Sequence, residues 1–495
     1  MSPISAFRQN DPYEQLIQQM LVIESEPKER LVEQKSTQSR IKNVISDVDS
    51  NLSALFNVVK SFKGLLSNPF DAKSASVSDG AGYSISAGSG AAFGSHSLEV
   101  LRLASTDTRI SRQMIATGGE LRTFFDVHGE QSFSIEVAHP TEADPNHRES
   151  IDVTVDPAGT TDEEILDELR SAIKVAMDDA IAAGIIERDE GVHAAVVSET
   201  SSTSRLSVKS GQTGFTNRLT FGDSADGLLA ALELNAGGVA AGAGGGQVTD
   251  VGTNETDTQL NSRFTLDGLT LYRDTNSVDD ALADVTILLT ESGLGRKDFN
   301  VAADKDSIKG EIEDFIKKYN TIVTHLQSKT DVDGEAGTRG DLAGDSTFRG
   351  LRFGLRNDVA GRVAGQPAEG PFMLTNLGIE INDDGTLVLD DVDELLGAVE
   401  RDAGSVESLF SGADGIATRL QDRIDAFVGT GGILKGRLQS IDTTVRRLDH
   451  RIESWDEKLA AREDSLRMQF ARMQESIARL QGQQQNMSSF FGGIF

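Results

Sequence analysis

Residues 41–66 read IKNVISDVDSNLSALFNVVKSFKGLL. The apolar positions Ile41, Ile45, Val48, Leu52, Leu55, Val59, Phe62 and Leu66 alternate spacings of four and three. Such alternation keeps one stripe on one helical face, and a stripe sustained over several heptads is the pattern of a coiled coil. The stretch predicts a helix of ~39 Å. Upstream, Leu31 keeps the phase, with Gln34 and Gln38 as polar seam positions. Pro27 suits the first turn of a helix starting near Glu26, where its missing N–H leaves no bond unmade. Gly64 weakens the last turn, and Asn68-Pro69 ends it.

The other end of the chain repeats the device. Leu434, Leu438, Ile441, Val445, Leu448, Ile452, Trp455 and Leu459 keep the same alternation. Arg462 interrupts the seam with a charge, Leu466 returns in phase, and the pattern slips by one residue to Phe470, Met473, Ile477 and Leu480. A helix over 434–480 would extend ~70 Å, and the slip would locally change the supercoil. Beyond it, Phe490, Phe491, Ile494 and Phe495 share no periodic face. They read either as a frayed terminus or as a segment that orders on meeting a partner.

Between these ends the chain is acidic. The formal net charge of 495 residues is −31. Residues 1–70 are balanced and residues 434–495 carry +2, so the excess falls on 71–433, at −33. That surface repels phosphate, so no nucleic-acid partner is expected. The length implies two to four domains of ~100–200 residues. There is no cysteine, which excludes a disulfide-stapled secreted domain and any thiol chemistry. The first 25 residues contain Asp11, Glu14 and Glu24 and lack the apolar run of a cleaved signal. No apolar stretch approaches the ~20 residues of a membrane span.

The middle alternates strand and helix patterns. Gly94–Ala104 reads as a strand, as do the period-two runs Phe133, Ile135, Val137 and Ile151, Val153, Val155. Thr161 to Glu164 is a capping box ahead of an amphipathic helix through Ile165, Leu166, Leu169, Ile173 and Ala176. Strands resume near Ala194–Val197 and Arg205–Val208. Residues 236–247, rich in Gly and Ala, read as a flexible linker or long loop. Asp267-Gly268 signals a hairpin. Ile308, Ile312, Phe315, Ile316, Tyr319 and Val323 make a further helix, and another lies around Val392–Val399. These features predict an α+β multidomain chain with long terminal coiled-coil helices packed together and strand-rich domains inserted between them; the seams alone leave a third helix or another copy of the chain open as the partner.

No catalytic, cofactor or metal constellation emerges. Gly88-Ser-Gly90 lacks the third glycine and the βαβ frame of a dinucleotide loop. Asp331-Val-Asp333-Gly334 lacks the ligand set of a calcium loop and reads as a turn. The histidines at 96, 128, 139, 147 and 193 show no metal-binding spacing. The chain is therefore expected not to be an enzyme.

The ordered set of short motifs resembles the FliD family of bacterial flagellar filament cap proteins, or hook-associated protein type 2. The motifs are Leu16-Ile-Gln-Gln-Met20 with Glu26-Pro27-Lys28 and Arg30-Leu31; Gly94–Ala104; and Arg205-Leu206, Ser210 and Thr213-Gly214. Asp267-Gly268 follows, with Arg273, Asn276, Asp280 and Val285-Thr286. Then come Phe315–Asn320, Leu377-Gly378-Ile379, Asp384–Asp390, Leu409-Phe410, Gly415-Ile416-Ala417 and Gly431–Leu434. The acidity, the Gly/Ala stretch and the apolar last residues depart from the family's pattern.

The resemblance implies six segments. They are an N-terminal coiled-coil leg (1–70), the first part of an inner head domain (71–110) and an outer inserted α+β domain (111–235). A linker and strand-rich segment (236–300), the second part of the inner head (301–433) and a C-terminal leg with its tail (434–495) complete the chain. It also implies a homo-oligomeric plate at the distal filament tip, retaining exported flagellin and promoting its polymerisation, with no cofactor. Implied partners are further copies, flagellin and the filament tip, hook-associated junction proteins, an export chaperone and, through adhesion, a host surface. Delivery would use the flagellar export apparatus. The tail residues Phe490, Phe491, Ile494 and Phe495 would touch the filament. A hook–filament junction protein, and a surface adhesin or coiled-coil scaffold, share the architecture and stay open as alternatives.

Overall fold

The computed structural model describes residues 12–64, 68–141, 143–144, 146–239, 242–334 and 337–492. Among them the helices are α1 (Pro12–Ser61), α2 (Glu120–His128), α3 (Asp162–Ala182), α4 (Leu228–Ala231), α5 (Lys305–Thr330), α6 (Ser346–Ala360), α7 (Val392–Ser411), α8 (Ile416–Val428) and α9 (Ile433–Gly492). The chain divides into two compact units. One joins the two ends, up to Phe70 and from Lys305; the other is Asp71–Asp304. The fold is α+β, with long terminal helices packed together and strand-rich domains inserted between them in sequence.

In the unit built from the ends, α1 and α9 run antiparallel, and α5 and α8 pack on α1. α1 starts at Pro12, not near Glu26, so Pro27 sits inside the helix. An interior proline costs ~3 kcal/mol and leaves the carbonyl four residues back unbonded. The helix continues through it because both flanks are anchored. Ile17 and Leu31 are buried, and Glu24 meets Arg462 of α9 at 3.1 Å. α1 ends at Ser61, about two turns before the expected stop at Asn68; Leu66 lies outside the described residues. Just beyond that end, Phe62, Phe70, Phe315 and Phe410 form one aromatic cluster with centroids 5.3–6.0 Å apart.

Two like turns deliver α8 and α9. Gly415 N–H donates to Gly412 O before Ile416, and Gly432 N–H donates to Gly429 O before Ile433. A Cβ on Gly415 would lie 2.3 Å from Phe410 O, and one on Gly432 would lie 2.2 Å from Phe427 O. Nearby, Asn320 of α5 grips the strand Leu387–Leu389. Its amide donates to Leu387 O and its carbonyl accepts from Leu387 N–H, both at 2.7 Å. Two separate family motifs meet in that clasp.

The Asp71–Asp304 unit holds two cores. In the first, strands 73–77, 297–303, 94–102, 262–266 and 269–273 form one antiparallel sheet in that order. Strands 277–282, 285–289 and 83–87 form a second. Asp267-Gly268 closes the predicted hairpin with φ of 50° and 85°, a left-handed pair suited to a two-residue turn. The Asp267 carboxylate accepts from Ser97 N–H at 2.8 Å. In the second core, α3 packs Ile165, Leu166, Leu169 and Ile173 against strands 148–155, 193–200 and 203–213. Its capping box forms as expected: Thr161 Oγ1 accepts from Glu164 N–H, and Glu164 accepts from Thr161 N–H.

Residues 71–110 and 305–433 fall in different units. Strand 94–102 takes its backbone partners from 262–266 and 297–303, while α5–α8 pack with the terminal helices. Of the two readings of 236–247, flexible linker or long loop, the described residues form a loop. Gly246-Gln247 pairs with Ile110 and Arg109, and buried Arg205 donates to Gly242 O, Gly244 O and Ser111 O at 2.6–3.0 Å. A glycine-rich loop whose carbonyls a buried guanidinium holds has lost the freedom its composition suggests.

Candidate assembly interface

The α1–α9 pair is the candidate site. Ile45, Val48, Leu52, Leu55, Val59 and Phe62 are fully buried, and Ile41 is half-buried. On α9, Leu434 and Leu448 are buried, whereas Leu438, Ile441, Val445, Ile452, Trp455 and Leu459 are only half-buried. The difference has a simple cause. The later part of α1 is surrounded by α5, α8 and α9, whereas α9 leaves that bundle and has α1 beside it. Phe490 and Phe491 lie in the last turn of α9 with side chains that are not described; Ile494 and Phe495 lie outside the described residues.

Charge sets the register of the pair. Lys28, Lys35 and Lys42 lie 2.5, 2.5 and 2.6 Å from Asp456, Asp449 and Asp442. Each residue follows a seam position, so the three pairs line one edge of the seam. Towards the α1 N-terminus the polarity reverses. Glu24 meets Arg462, and Glu14 meets Arg467 at 2.7 Å. The Glu14 carboxylate holds the Arg467 guanidinium above its usual range. Arg462, which reads in sequence as an interruption of the seam, is thus the partner of a seam glutamate. The sevenfold spacing of those lysines and aspartates was the sequence signal for this ladder, and apolar periodicity alone passes over it.

The surface left by this packing is apolar in places. Leu16 and Ile23 of α1 are exposed, as are Met468, Met473, Ile477 and Leu480 of α9. Tyr13 lies 5.7 Å from Phe470, ring to ring, and α9 continues to Gly492, about 33 Å further. At the other end a 370 Å³ cavity opens between Ile41, Ile441 and the loop Asp341–Asp345. Its rim is held by Arg437, which pairs with Asp345. Against the upward push of burial, Arg437 and the Thr347 N–H hold the Asp345 carboxyl below its ordinary value. Among the described residues no helix is long and apolar enough to cross a membrane. The arrangement offers surfaces for holding other helices.

Known proteins share this organisation. The family model of the flagellar hook-associated protein 2 N-terminus matches residues 12–107, and that of its C-terminus matches residues 260–482. An A-type flagellar hook-associated protein 2 from Pseudomonas aeruginosa is 28% identical, the match covering 94% of this chain and 92% of that protein. A polar flagellar hook-associated protein 2 from Vibrio parahaemolyticus is 28% identical over 49% of this chain and 36% of its own length. The crystal structure of the D1–D2–D3 domains of the flagellar cap protein FliD from Escherichia coli is similar in fold. It has a TM-score of 0.52 at 23% identity, covering 81% of this chain and 99% of that one. With both models matched in order at the two ends, and a relative aligned along nearly its whole length, this chain belongs to the flagellar hook-associated protein 2 family.

Proposed function

We propose that this chain is a flagellar filament capping protein, a homo-oligomeric plate at the distal tip that retains exported flagellin and promotes its polymerisation. Family membership supports the flagellar role. The observation that carries the mechanism is the α1–α9 pair, which joins both chain ends in one long leg with α9 running on beyond Tyr13. In this reading the leg grips the filament end through the exposed Met473, Ile477 and Leu480 and through Phe490, Phe491, Ile494 and Phe495. Half-buried seams and modest ion pairs suit a grip that releases and re-forms as each flagellin inserts. No covalent step is needed, and no cofactor is assigned. The lack of cysteine agrees with delivery as an unfolded chain through the flagellar export apparatus.

The test is removal of residues 481–495 from the full chain, which leaves the α1–α9 ion pairs intact. Cells carrying the truncation are expected to release unpolymerised flagellin into the medium while the protein keeps its circular dichroism spectrum. Filaments of normal length and number would overturn the leg assignment. Immunolabelling at filament tips separates this reading from a junction protein, which would label the filament base, and from a cytosolic scaffold.

A further inference from the structure

Helix α6 presents an unusual face for so acidic a chain. Its inner side buries Phe348, Leu351, Leu355 and Val359. Its outer side exposes Arg349, Phe353 and Arg356, with Phe353 52% exposed. Residues 338–362 contain five arginines, three aspartates and no lysine or glutamate. All three aspartates are taken by arginines of other elements: Asp341 by Arg40, Asp345 by Arg437 and Asp358 by Arg423. Among the described residues Arg349 and Arg356 have no ion pair. Arg352 pairs with Asp331 at 2.6 Å, which brings the exposed Val332 to the edge of the same face. Arginine around an exposed aromatic ring is the composition of an interface anchor.

The complement lies alongside. Residues 363–400 contain nine carboxylates and no lysine or arginine. Asp383, Asp390 and Asp393 of that stretch are exposed and, among the described residues, without an ion pair. The two patches adjoin: a Cβ on Gly385 would lie 3.5 Å from Arg356 Cδ. A positive patch beside a negative one on a single face is self-complementary. A second copy turned about a two-fold axis sets each patch on the opposite one.

We propose that this face is a self-association surface. The α6 arginines of one copy meet the Asp383–Asp393 ridge of another, with Phe353 buried between them. The proposal rests on the reading of the chain as a homo-oligomer and names one two-fold contact between its copies. Exposed ion pairs are individually weak, so the buried aromatic supplies the anchor and the charges select the partner.

The test uses light scattering and analytical ultracentrifugation on the full chain. Arg349→Glu with Arg356→Glu in one variant, and Asp390→Arg with Asp393→Arg in another, are each expected to weaken self-association about tenfold or more. Phe353→Ser is expected to weaken it without changing charge. Equal mixing of the two charge variants is expected to restore association, because each then meets an opposite patch. Circular dichroism confirms that the variants fold. An oligomeric wild type whose variants associate equally well would overturn this surface alone, and so would loss that mixing does not restore. A wild type monomeric at every concentration would overturn the surface and the plate reading together.

Discussion

Lys35 Nζ lies 2.5 Å from Asp449 Oδ1, and the contact recurs one heptad to either side, at Lys28–Asp456 and Lys42–Asp442. Every step of seven along α1 is matched by a step of seven backwards along α9. Shifting the helices by one heptad would keep the apolar stripes in contact, setting Lys42 against Lys435 in one direction and Lys28 against Glu463 in the other. The reversed pairs Glu24–Arg462 and Glu14–Arg467 would then face residues of other types.

Reversing Lys28, Lys35 and Lys42 to Asp places like charges along this edge. Each exposed pair contributes ~0.2–1 kcal/mol, so the triple variant should lose about 1–3 kcal/mol of stability in urea unfolding. Reversing Asp442, Asp449 and Asp456 to Lys in the same chain should recover most of it. A combined variant as weak as the first would show that the register is held by other contacts.

Gly432 and Gly431 are neighbours with opposite tolerance. A Cβ at 432 meets Phe427 O at 2.2 Å, whereas one at 431 meets nothing within 4 Å. Gly432→Ala should cost about 1–3 kcal/mol and move the start of α9, while Gly431→Ala should change stability by less than about 0.5 kcal/mol. Thermal unfolding of the two variants side by side decides it.

Asn320→Ala removes both hydrogen bonds to Leu387 and leaves that backbone without its clasp. A loss of about 1–3 kcal/mol is expected. Hydrogen exchange should quicken in Ile379–Leu389 first, since the short hairpin is tied to α5 through this residue.

His325 on α5 gives the terminal unit a pH dependence. Burial, reinforced by Lys329, pushes its imidazole below the ordinary value, against the opposing pull of Asp47 and of a hydrogen bond to the Val44 main chain. The unfolded chain therefore takes up this proton first as pH falls. The stability contributed is full above the ordinary value, ~6.5, and is lost as pH falls through the depressed folded value. His325→Gln should flatten the fall in Tm below about pH 6.5. An unchanged pH profile would remove His325 as its source.

Much of the architecture was legible because its signals are local. The two heptad stripes, the Thr161–Glu164 capping box and the Asp267-Gly268 turn each depend on residues a few positions apart. Pro27 misled because propensity places proline at a helix start, whereas Ile17, Leu31 and the Glu24–Arg462 pair outweigh that preference. Composition left the Gly/Ala stretch as linker or loop for a related reason: Arg205, far away in sequence, supplies the donors that order it.

The sequence by itself determined that both ends are long amphipathic helices, that the middle is acidic and strand-bearing, and which family motifs occur in order. Periodicity, net charge and turn chemistry survive without knowledge of contacts. Only the tertiary structure decided that the ends pair antiparallel in one register, and that 71–103 completes its sheets with 262–303. It alone set Asn320 on Leu387 and brought the α6 arginines beside the Asp383–Asp393 ridge. Those facts rest on backbone hydrogen bonds, ion pairs and packing between residues far apart in the chain, and local periodicity carries no record of which distant residue will meet another.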